Sequence, residues 1–351
     1  MPDARPLAEF TTIGVGGVPE LMLVATTREE LVAQAREMWA TADEWLVLGG
    51  GGNLVIADEV PQLQVLRVQT QGVTTEKLPN GRVRLRVQAG ESWDDLVAGT
   101  VQAGLAGLEA LSGIPGSVGA APIQNIGAYG AEVAATISRL EFLDYLTGEL
   151  QEIEAADLGF GYRHSIFKAD AAGHRREGVI TWVEFDLDNL GGLSQPIAFD
   201  QLAKALAVEI GAQVPVADVR AAVLKLRSAK GMVIDPADAD TASCGSFFTN
   251  PVVSARLART LPEGAPRFES NDDDGLTVKL SAAWLIENAG IPKGFRIAGS
   301  GAGISTKHSL AITNRGGATA ADVLQLAEFV QVRVANRFGV NLQPEPNLVG
   351  F

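Results

Sequence analysis

Two glycine-rich segments decide the fold, and they read Ser112-Gly113-Ile114-Pro115-Gly116-Ser117-Val118-Gly119-Ala120 and Gln124-Asn125-Ile126-Gly127-Ala128-Tyr129-Gly130. Few charges interrupt this region, and it has the period of neither a helix nor a strand. Because glycine takes positive φ and carries no side chain, such a chain can approach a ligand closely with its backbone. The pattern predicts an ordered, loop-like segment.

A further glycine run, Gly49-Gly50-Gly51-Gly52-Asn53, follows a short apolar strand predicted over 45–48. No Lys-Ser or Lys-Thr follows the glycines and no GxGxxG spacing opens a helix, so neither the Walker nor the Rossmann fingerprint is present. Taken alone, the run is equally well interpreted as a tight structural loop. However, the 49–53 run and the glycine-rich region at 112–130 are two glycine loops in one domain. Such a pair suits a flat ring system with a diphosphate tail, which requires close backbone approach at both ends.

Composition and charge exclude several classes of protein. With 351 residues, of which 46% are hydrophobic, the chain is long enough for two or three domains with cores of their own. The formal net charge of −14 disfavours binding to a phosphate backbone, so nucleic acid is not an expected partner. No long apolar run or signal peptide is evident, which favours the cytoplasm without membrane insertion. The single cysteine and three histidines without ligand spacing predict no disulfide and no metal site.

Alternating helix and strand signals predict the elements. Thr27 and Glu30 form a capping-box pattern at the start of a helix that runs to about Trp39, and apolar residues alternate with arginines in a strand around 83–87. Ser92 opens another helix. Further strands are expected near 138–146 and 179–187, and further helices near 200–210, 217–228 and 320–338, with a surface connector at 232–241.

Three motifs occur beyond the glycine loops, and each could be purely structural. They are Gly161-Tyr162-Arg163-His164-Ser165-Ile166-Phe167-Lys168, Gly245-Ser246-Phe247-Phe248-Thr249-Asn250-Pro251 and Leu342-Gln343-Pro344-Glu345-Pro346. Together with the loops, and in this order, they resemble the UDP-N-acetylenolpyruvoylglucosamine reductase (MurB) family of type I. This is the cell-wall branch of the vanillyl-alcohol-oxidase, or PCMH-type, FAD-binding fold. The resemblance covers nearly the whole chain.

The resemblance implies an α+β fold with two domains. Residues 1–215 are expected to form a PCMH-type FAD-binding domain in two subdomains, split near 72. Residues 216–351 are expected to form a smaller substrate-binding domain whose tail, from about 340, returns to the flavin. The FAD is expected to be non-covalent and to contact Gly49, Gly50, Gly51, Gly52, Asn53, Leu54, Ser112, Gly113, Ile114, Pro115, Gly116, Ser117, Gly119, Ala120, Gln124, Asn125, Gly127, Ala128, Tyr129 and Ile180.

The implied reaction is the reduction of UDP-N-acetylglucosamine enolpyruvate to UDP-N-acetylmuramate by NADPH through FAD, in peptidoglycan precursor synthesis. Taken alone, Arg163 is a surface arginine, Ser246 a turn hydroxyl and Glu345 a solvated acid. By resemblance, Arg163 stabilises developing negative charge, Ser246 donates a proton and Glu345 polarises the intermediate. Cys244 is a rival proton donor, although a small buried residue is its more ordinary role.

Six further residues are implied in substrate binding, in addition to the three catalytic ones. They are Tyr162, Phe199, Lys230, Asn250, Lys307 and His308. The chain departs from the family pattern at Thr11-Thr12-Ile13, at Gly52 and above all at Phe199, where a tyrosine hydroxyl commonly contacts the substrate diphosphate. Loss of one such hydrogen bond costs about 0.5 to 1.5 kcal/mol.

Two other functions remain open at this point. Another flavin oxidase or dehydrogenase on the same fold would keep the glycine loops but would not need Arg163, Ser246 and Glu345 in their motifs. A flavin- or nucleotide-sugar-binding regulator would bind without turnover. No obligatory protein partner is evident from the sequence.

Overall fold

A computed structural model describes residues 5–169, 173–269 and 276–351. The helices are α1 (Arg28–Thr41), α2 (Trp93–Gln102), α3 (Asp200–Leu206), α4 (Val216–Ser228), α5 (Ala255–Thr260), α6 (Ala282–Asn288) and α7 (Ala320–Phe338). The strands are β1 (Pro19–Ala25), β2 (Glu44–Leu48), β3 (Leu54–Ile56), β4 (Val60–Val68), β5 (Val73–Lys77), β6 (Val83–Gln88), β7 (Gly127–Ala128), β8 (Ala131–Glu132), β9 (Ile137–Asp144), β10 (Leu150–Glu154), β11 (Gly178–Leu187), β12 (Val252–Ser254), β13 (Arg267–Glu269), β14 (Thr277–Leu280), β15 (Ala302–Ile304), β16 (Ile312–Asn314) and β17 (Asn347–Val349). Helices and strands are mixed along the chain, which agrees with the predicted α+β class.

Helix ends follow the side chains that cap them. The Thr27 and Glu30 capping box is formed at the start of α1, and Ser92 caps α2. Thr319 and Asp322 form a second box at α7, which ends at Gly339 in the left-handed conformation. These three helices therefore begin where the sequence predicts. Among the described residues, no helix is both long and apolar enough to cross a bilayer.

The chain divides into two compact units. Unit 1 contains Pro19–Gly51 and Pro61–Ser228, and unit 2 contains Arg5–Val18, Gly52–Val60 and Ala229–Phe351. Each has its own hydrophobic core.

Unit 1 contains two sheets. In the first, β2 pairs in parallel with β4, whose other neighbour is β1, and α1 buries Leu31, Ala35 and Met38 in the adjoining core. The second sheet has the strand order β10-β9-β11-β6-β5, and the pairings along it are antiparallel. Its core includes Trp93 of α2, so the start of that helix is fixed against the sheet.

Unit 1 ends at Ser228 and not at the expected residue 215. The reason is a small core in which Val219 and Val223 of α4 are buried with Leu202 and Ala203 of α3. Helix α3 stops at Leu206, earlier than the sequence suggested, because Ala207 takes the left-handed conformation with φ of 55°.

Unit 2 is built around α7, with α6 and the β15-β16 hairpin in the same core. The sequence assigned residues 5–18 and 52–60 to the FAD-binding domain, but they fold with unit 2. Ile13, Val15 and Val55 are buried in its core, and β3 pairs in parallel with β17 near the end of the chain. Long-range pairing of this kind leaves no local signal in the sequence.

Candidate active site

The glycine loops of unit 1 touch through their backbones. A Cβ at Gly50 would lie 2.6 Å from the Cα of Gly116, and one at Gly49 would lie 2.3 Å from Ser117 Oγ. Gly50 therefore requires glycine because it meets backbone, whereas a side chain at Gly49 would require the Ser117 hydroxyl to move. Gly116, in contrast, faces open space on its Cβ side: a Cβ built there, at φ of +127°, would meet no atom within 4 Å. The loop thus packs against its neighbour on one side and leaves space above its backbone on another, which fits the flat, tailed cofactor that two such loops suggest.

The 112–120 loop is held from α2 and the residues before it. The backbone N–H of Trp93 donates to the carbonyl of Gly116 at 3.1 Å, and its indole Nε1 donates to Leu111 O at 3.1 Å. Val118 N donates to Glu91 O, and Gly119 N to Ala89 O, each at 2.9 Å. The amides of residues 118 and 119 are thus committed within the fold, and the loop has one defined conformation.

The second glycine segment is organised by Asn125. This side chain is fully buried and lies in a residue with φ of 46°, a conformation that asparagine tolerates. Its Nδ2 donates to Glu132 Oε2 at 2.8 Å and to Gly161 O at 3.0 Å, while its Oδ1 accepts from Ala134 N at 3.1 Å. Asn125 therefore ties the glycine segment to the motif that carries Arg163.

Arg163 lies against this segment. Gly161 and His164 exchange two backbone hydrogen bonds of 3.1 Å, which closes a tight turn and places Arg163 at φ of 53°. Its Nη2 donates to Gly127 O at 2.7 Å. A positive φ at a residue with a side chain is uncommon and persists where the surroundings fix it. The guanidinium is therefore held with a defined orientation.

The rest of the 161–168 motif reinforces this attachment. Ser165 Oγ donates to Ile123 O at 2.5 Å, and Lys168 Nζ donates to Gln124 Oε1 at 3.5 Å. Unit 1 thus brings Arg163 together with predicted flavin contacts. Ile180, also predicted to contact FAD, lies in β11 with 5% of its surface exposed and packs in the sheet core.

Two aromatic residues of the predicted substrate site lie on the surface of unit 1. Tyr162 is 44% exposed and its ring lies 5.6 Å from the Arg163 guanidinium carbon. Phe199 is 42% exposed, and its ring meets that of Tyr129 edge-on with centroids 5.9 Å apart. Burial raises the pKa of the Tyr129 phenol, and the charge of Arg227 opposes that shift. The Tyr129 hydroxyl therefore stays protonated near neutral pH.

Unit 2 brings Ser246 and Glu345 into neighbouring segments. Glu345 N donates to Phe247 O at 2.9 Å, Thr249 N donates to Gln343 O at 3.1 Å, and Phe248 forms an antiparallel bridge with Pro344. The tail then passes Asn53, whose Nδ2 donates to Glu345 O at 3.3 Å, and enters β17. The 245–251 motif and the C-terminal motif are therefore one local structure.

Cys244 belongs to the core. Its side chain is 7% exposed, and Sγ donates to Leu54 O at 3.3 Å. Burial raises the pKa of this thiol to about 12. The thiol therefore stays protonated and packed among apolar residues, which is the more ordinary role expected of a lone cysteine.

The remaining predicted substrate contacts of unit 2 have defined surroundings. Asn250 Oδ1 accepts from Ala282 N, at the start of α6, at 3.0 Å. Lys307 forms an ion pair with Asp238, and hydrogen bonding to that carboxylate raises the lysine pKa. Burial and the charges of Lys230 and Lys293 lower the pKa of His308 to about 4, so its imidazole is neutral. Lys230 and His308 are thus electrostatic neighbours.

Three positions gain importance only from the structure. Thr12 Oγ1 donates to Ser243 O at 2.7 Å and reaches Gly52 O at 3.5 Å, so the N-terminal departure from the family pattern supports the 243–246 segment. Asp94 and Arg220 meet beside the 112–120 loop. Asp94 lies in the first turn of α2, two residues after the Ser92 cap, but no local pattern in the sequence pairs it with α4.

Two protein families match the chain. The family described as "UDP-N-acetylenolpyruvoylglucosamine reductase, C-terminal domain" matches residues 235–349. The family described as "FAD binding domain" matches residues 19–154.

Curated relatives match over the full length. A UDP-N-acetylenolpyruvoylglucosamine reductase of Leifsonia xyli is 53% identical, with 100% of both chains covered. One of Thermobifida fusca is 48% identical, covering 98% of this chain and 97% of the relative. The crystal structure of the UDP-N-acetylenolpyruvylglucosamine reductase (MurB) of Thermus caldophilus is 28% identical with a TM-score of 0.63, covering 98% of this chain and 97% of that one.

Proposed function

The chain belongs to the UDP-N-acetylenolpyruvoylglucosamine reductase family, and we propose that it uses FAD and NADPH to reduce UDP-N-acetylglucosamine enolpyruvate to UDP-N-acetylmuramate. The resemblance inferred from the sequence motifs is thereby confirmed. The observation that best supports the proposal within the fold is the bond from Glu345 N to Phe247 O, which joins two motifs implied in catalysis. A nucleotide-sugar substrate and a pyridine-nucleotide reductant also favour a cytoplasmic location.

FAD is the cofactor. The 49–53 and 112–120 glycine loops, together with the 124–130 segment, are proposed to hold it. The close contact of Gly50 with Gly116 and the open space above Gly116 support this role. When bound and reduced by NADPH, FAD supplies the hydride that the enolpyruvyl group accepts at C3. What the chain itself provides is orientation, charge and a proton.

We assign the proton to Ser246. Hydride addition at C3 of the enolpyruvyl group leaves negative charge on C2 and on the adjoining carboxylate. C2 must then receive a proton. A hydroxyl can donate that proton, but as a weak acid it requires a nearby charge or proton source to restore it. Ser246 is half-buried, next to Phe247 and the Glu345 backbone, whereas the Cys244 thiol is buried in the core.

Arg163 and Glu345 are proposed to act on the developing charge. The guanidinium of Arg163 is planar, donates hydrogen bonds in a fork and is oriented by Gly127 O, so it is suited to stabilise the enolate-like carboxylate. Glu345 is held between Pro344 and Pro346, which restrict its backbone. Glu345 is proposed to polarise the intermediate, and groups fixed in advance in this way act without reorganising during the reaction.

The colour of the flavin provides the test of the proposed function. The purified protein should be yellow, should bleach when NADPH is added without oxygen, and should regain colour when the enolpyruvyl nucleotide is supplied. Another oxidase on this fold would bleach with a different reductant or reoxidise without the nucleotide. A regulator would not bleach. Acid denaturation should release the chromophore into solution, since the FAD is expected to be non-covalent.

A further inference from the structure

An ion pair joins α4 to α2 beside the 112–120 loop. Arg220 Nη1 donates to Asp94 Oδ1 at 2.6 Å, and Nη2 donates to Asp94 Oδ2 at 2.9 Å. The Arg220 side chain is only 18% exposed and that of Asp94 35%. Two parallel bonds from a planar guanidinium fix a carboxylate in direction as well as in place.

The same carboxylate holds the backbone of the loop. Gly113 N donates to Asp94 Oδ1 at 2.6 Å, and Gly113 takes φ of +72°. A carboxylate oxygen has two lone pairs, so Oδ1 can accept from Gly113 and Arg220 together. Asp94 is thus the link between a loop amide and a residue more than a hundred positions away.

This bond holds the loop at a point between two other anchors from α2. The backbone and indole of Trp93 hold the loop at Leu111 and at Gly116, on either side of Gly113. Between those points, Asp94 supplies the hydrogen bond that fixes a left-handed glycine. Without it the turn from Ser112 to Pro115 would have to satisfy the Gly113 amide from solvent or from the ligand.

We propose that Asp94 and Arg220 are positioning residues for FAD: Asp94 orients the Gly113 turn of the cofactor loop, and Arg220 orients Asp94. The inference rests on the proposed assignment of the 112–120 loop to FAD. It also means that the Gly113 amide is used within the protein, so this glycine serves FAD through its shape and not through its N–H.

The charge state supports this arrangement. Burial raises the pKa of Asp94, but the hydrogen bonds from Arg220 and Gly113 and the Arg220 charge outweigh it and hold the pKa below its usual value. The carboxylate is therefore ionised at neutral pH, the state in which both its oxygens accept.

The test measures FAD binding to protein stripped of flavin, by titration with FAD and quenching of its fluorescence. Asp94→Ala should raise the FAD dissociation constant about ten- to a hundredfold, the usual effect of losing a charge-assisted hydrogen bond. Asp95→Ala is the matched control, because Asp95 is exposed in the same helical turn. At saturating FAD, the rate of reduction by NADPH should return to the wild-type value.

Substitutions of Arg220 provide a second test of the same proposal. Arg220→Gln should weaken FAD binding, and Arg220→Lys, which keeps the charge but loses the fork, should restore part of it. Because Arg220 acts through Asp94, the double variant Asp94→Ala/Arg220→Gln should bind no more weakly than Asp94→Ala alone. If Asp94→Ala fails to fold, Arg220→Lys and Arg220→Gln still carry the comparison.

The inference is overturned if Asp94→Ala and Asp95→Ala bind FAD with dissociation constants within twofold of each other, or if the effects of the two sites simply add. Wild-type protein that bound no FAD would instead defeat the proposed function.

Discussion

The backbone N–H of Glu345 donates to the carbonyl oxygen of Phe247 at 2.9 Å. This bond ties the C-terminal tail to the residue after Ser246 and makes two distant motifs neighbours. It also explains why the tail is firm, because the chain continues from there into β17, paired with β3. The carboxylate of Glu345 is thus presented by a segment anchored on both sides.

Glu345→Gln should lower the rate of flavin reoxidation by the enolpyruvyl nucleotide by about 10²-fold, because the amide cannot polarise the intermediate as the carboxyl group does and the loss of one preorganised polar group typically costs this much. FAD binding should be unchanged, since the substitution keeps the backbone bonds to Phe247 and Asn53. Single-turnover stopped-flow absorbance measures the rate of flavin reoxidation and the amount of FAD bound. Glu287→Gln, at an exposed glutamate of α6, is the control. An equal loss in the two variants would show that Glu345 has no special role.

Cys244→Ala should leave both half-reactions at wild-type rates. The thiol is buried, with a pKa raised to about 12, and is packed in the core of unit 2. The variant should instead lose about 1 kcal/mol of unfolding free energy, the approximate value of one buried group of this size. Urea unfolding followed by fluorescence measures this loss. Abolished reoxidation in the alanine variant would identify Cys244 as the proton donor instead of Ser246.

Phe199→Tyr should lower KM for the nucleotide substrate two- to tenfold without changing kcat. The ring is 42% exposed beside Tyr129, so the added hydroxyl can reach solvent or ligand, and one hydrogen bond contributes about 0.5 to 1.5 kcal/mol. Phe199→Leu, which adds no hydroxyl, is the control. An unchanged KM in the tyrosine variant would mean that another donor already meets the diphosphate.

His308 should make unit 2 less stable in acid. Its folded pKa is about 4, below the ordinary value of 6.5, because of burial and the charges of Lys230 and Lys293. Between these two values the unfolded chain binds the proton that the folded chain does not, so unfolding free energy falls as pH falls through this window. At pH 5 the loss attributable to His308 should be about 1 to 2 kcal/mol.

His308→Asn should remove that part of the pH dependence of the unfolding free energy. Urea unfolding at pH 5 and pH 7 provides the comparison. If the unfolding free energy fell by the same amount from pH 7 to pH 5 in wild type and in His308→Asn, the lowered pKa of His308 would be contradicted.

Much of the fold could be predicted because its signals are local. Thr27, Ser92 and Thr319 each stand a few residues from the backbone group that they cap, and Gly339 ends α7 where it stands. The boundaries of the two units could not be predicted in this way. The pairing of β3 with β17 and the packing of α4 on α3 join segments far apart in sequence, and no local pattern encodes them.

The candidate site divides in the same manner. Glycine loops and the Arg163, Ser246 and Glu345 motifs are visible in the sequence. The bonds that orient them are not, because Asn125 to Gly161 and Asp94 to Arg220 link residues 36 and 126 positions apart. The sequence therefore predicts the reacting groups, and the structure adds hydrogen bonds that hold the Arg163 motif and the 112–120 loop.

The most direct test of the proposed mechanism follows flavin absorbance by stopped flow in the Ser246→Ala variant. NADPH should reduce the flavin at the wild-type rate, since that half-reaction requires no proton from Ser246. Reoxidation by UDP-N-acetylglucosamine enolpyruvate should slow by about 10²- to 10⁴-fold, the usual contribution of a general acid. Equal slowing of both half-reactions, or reoxidation at the wild-type rate, would contradict the assignment of Ser246 as the proton donor.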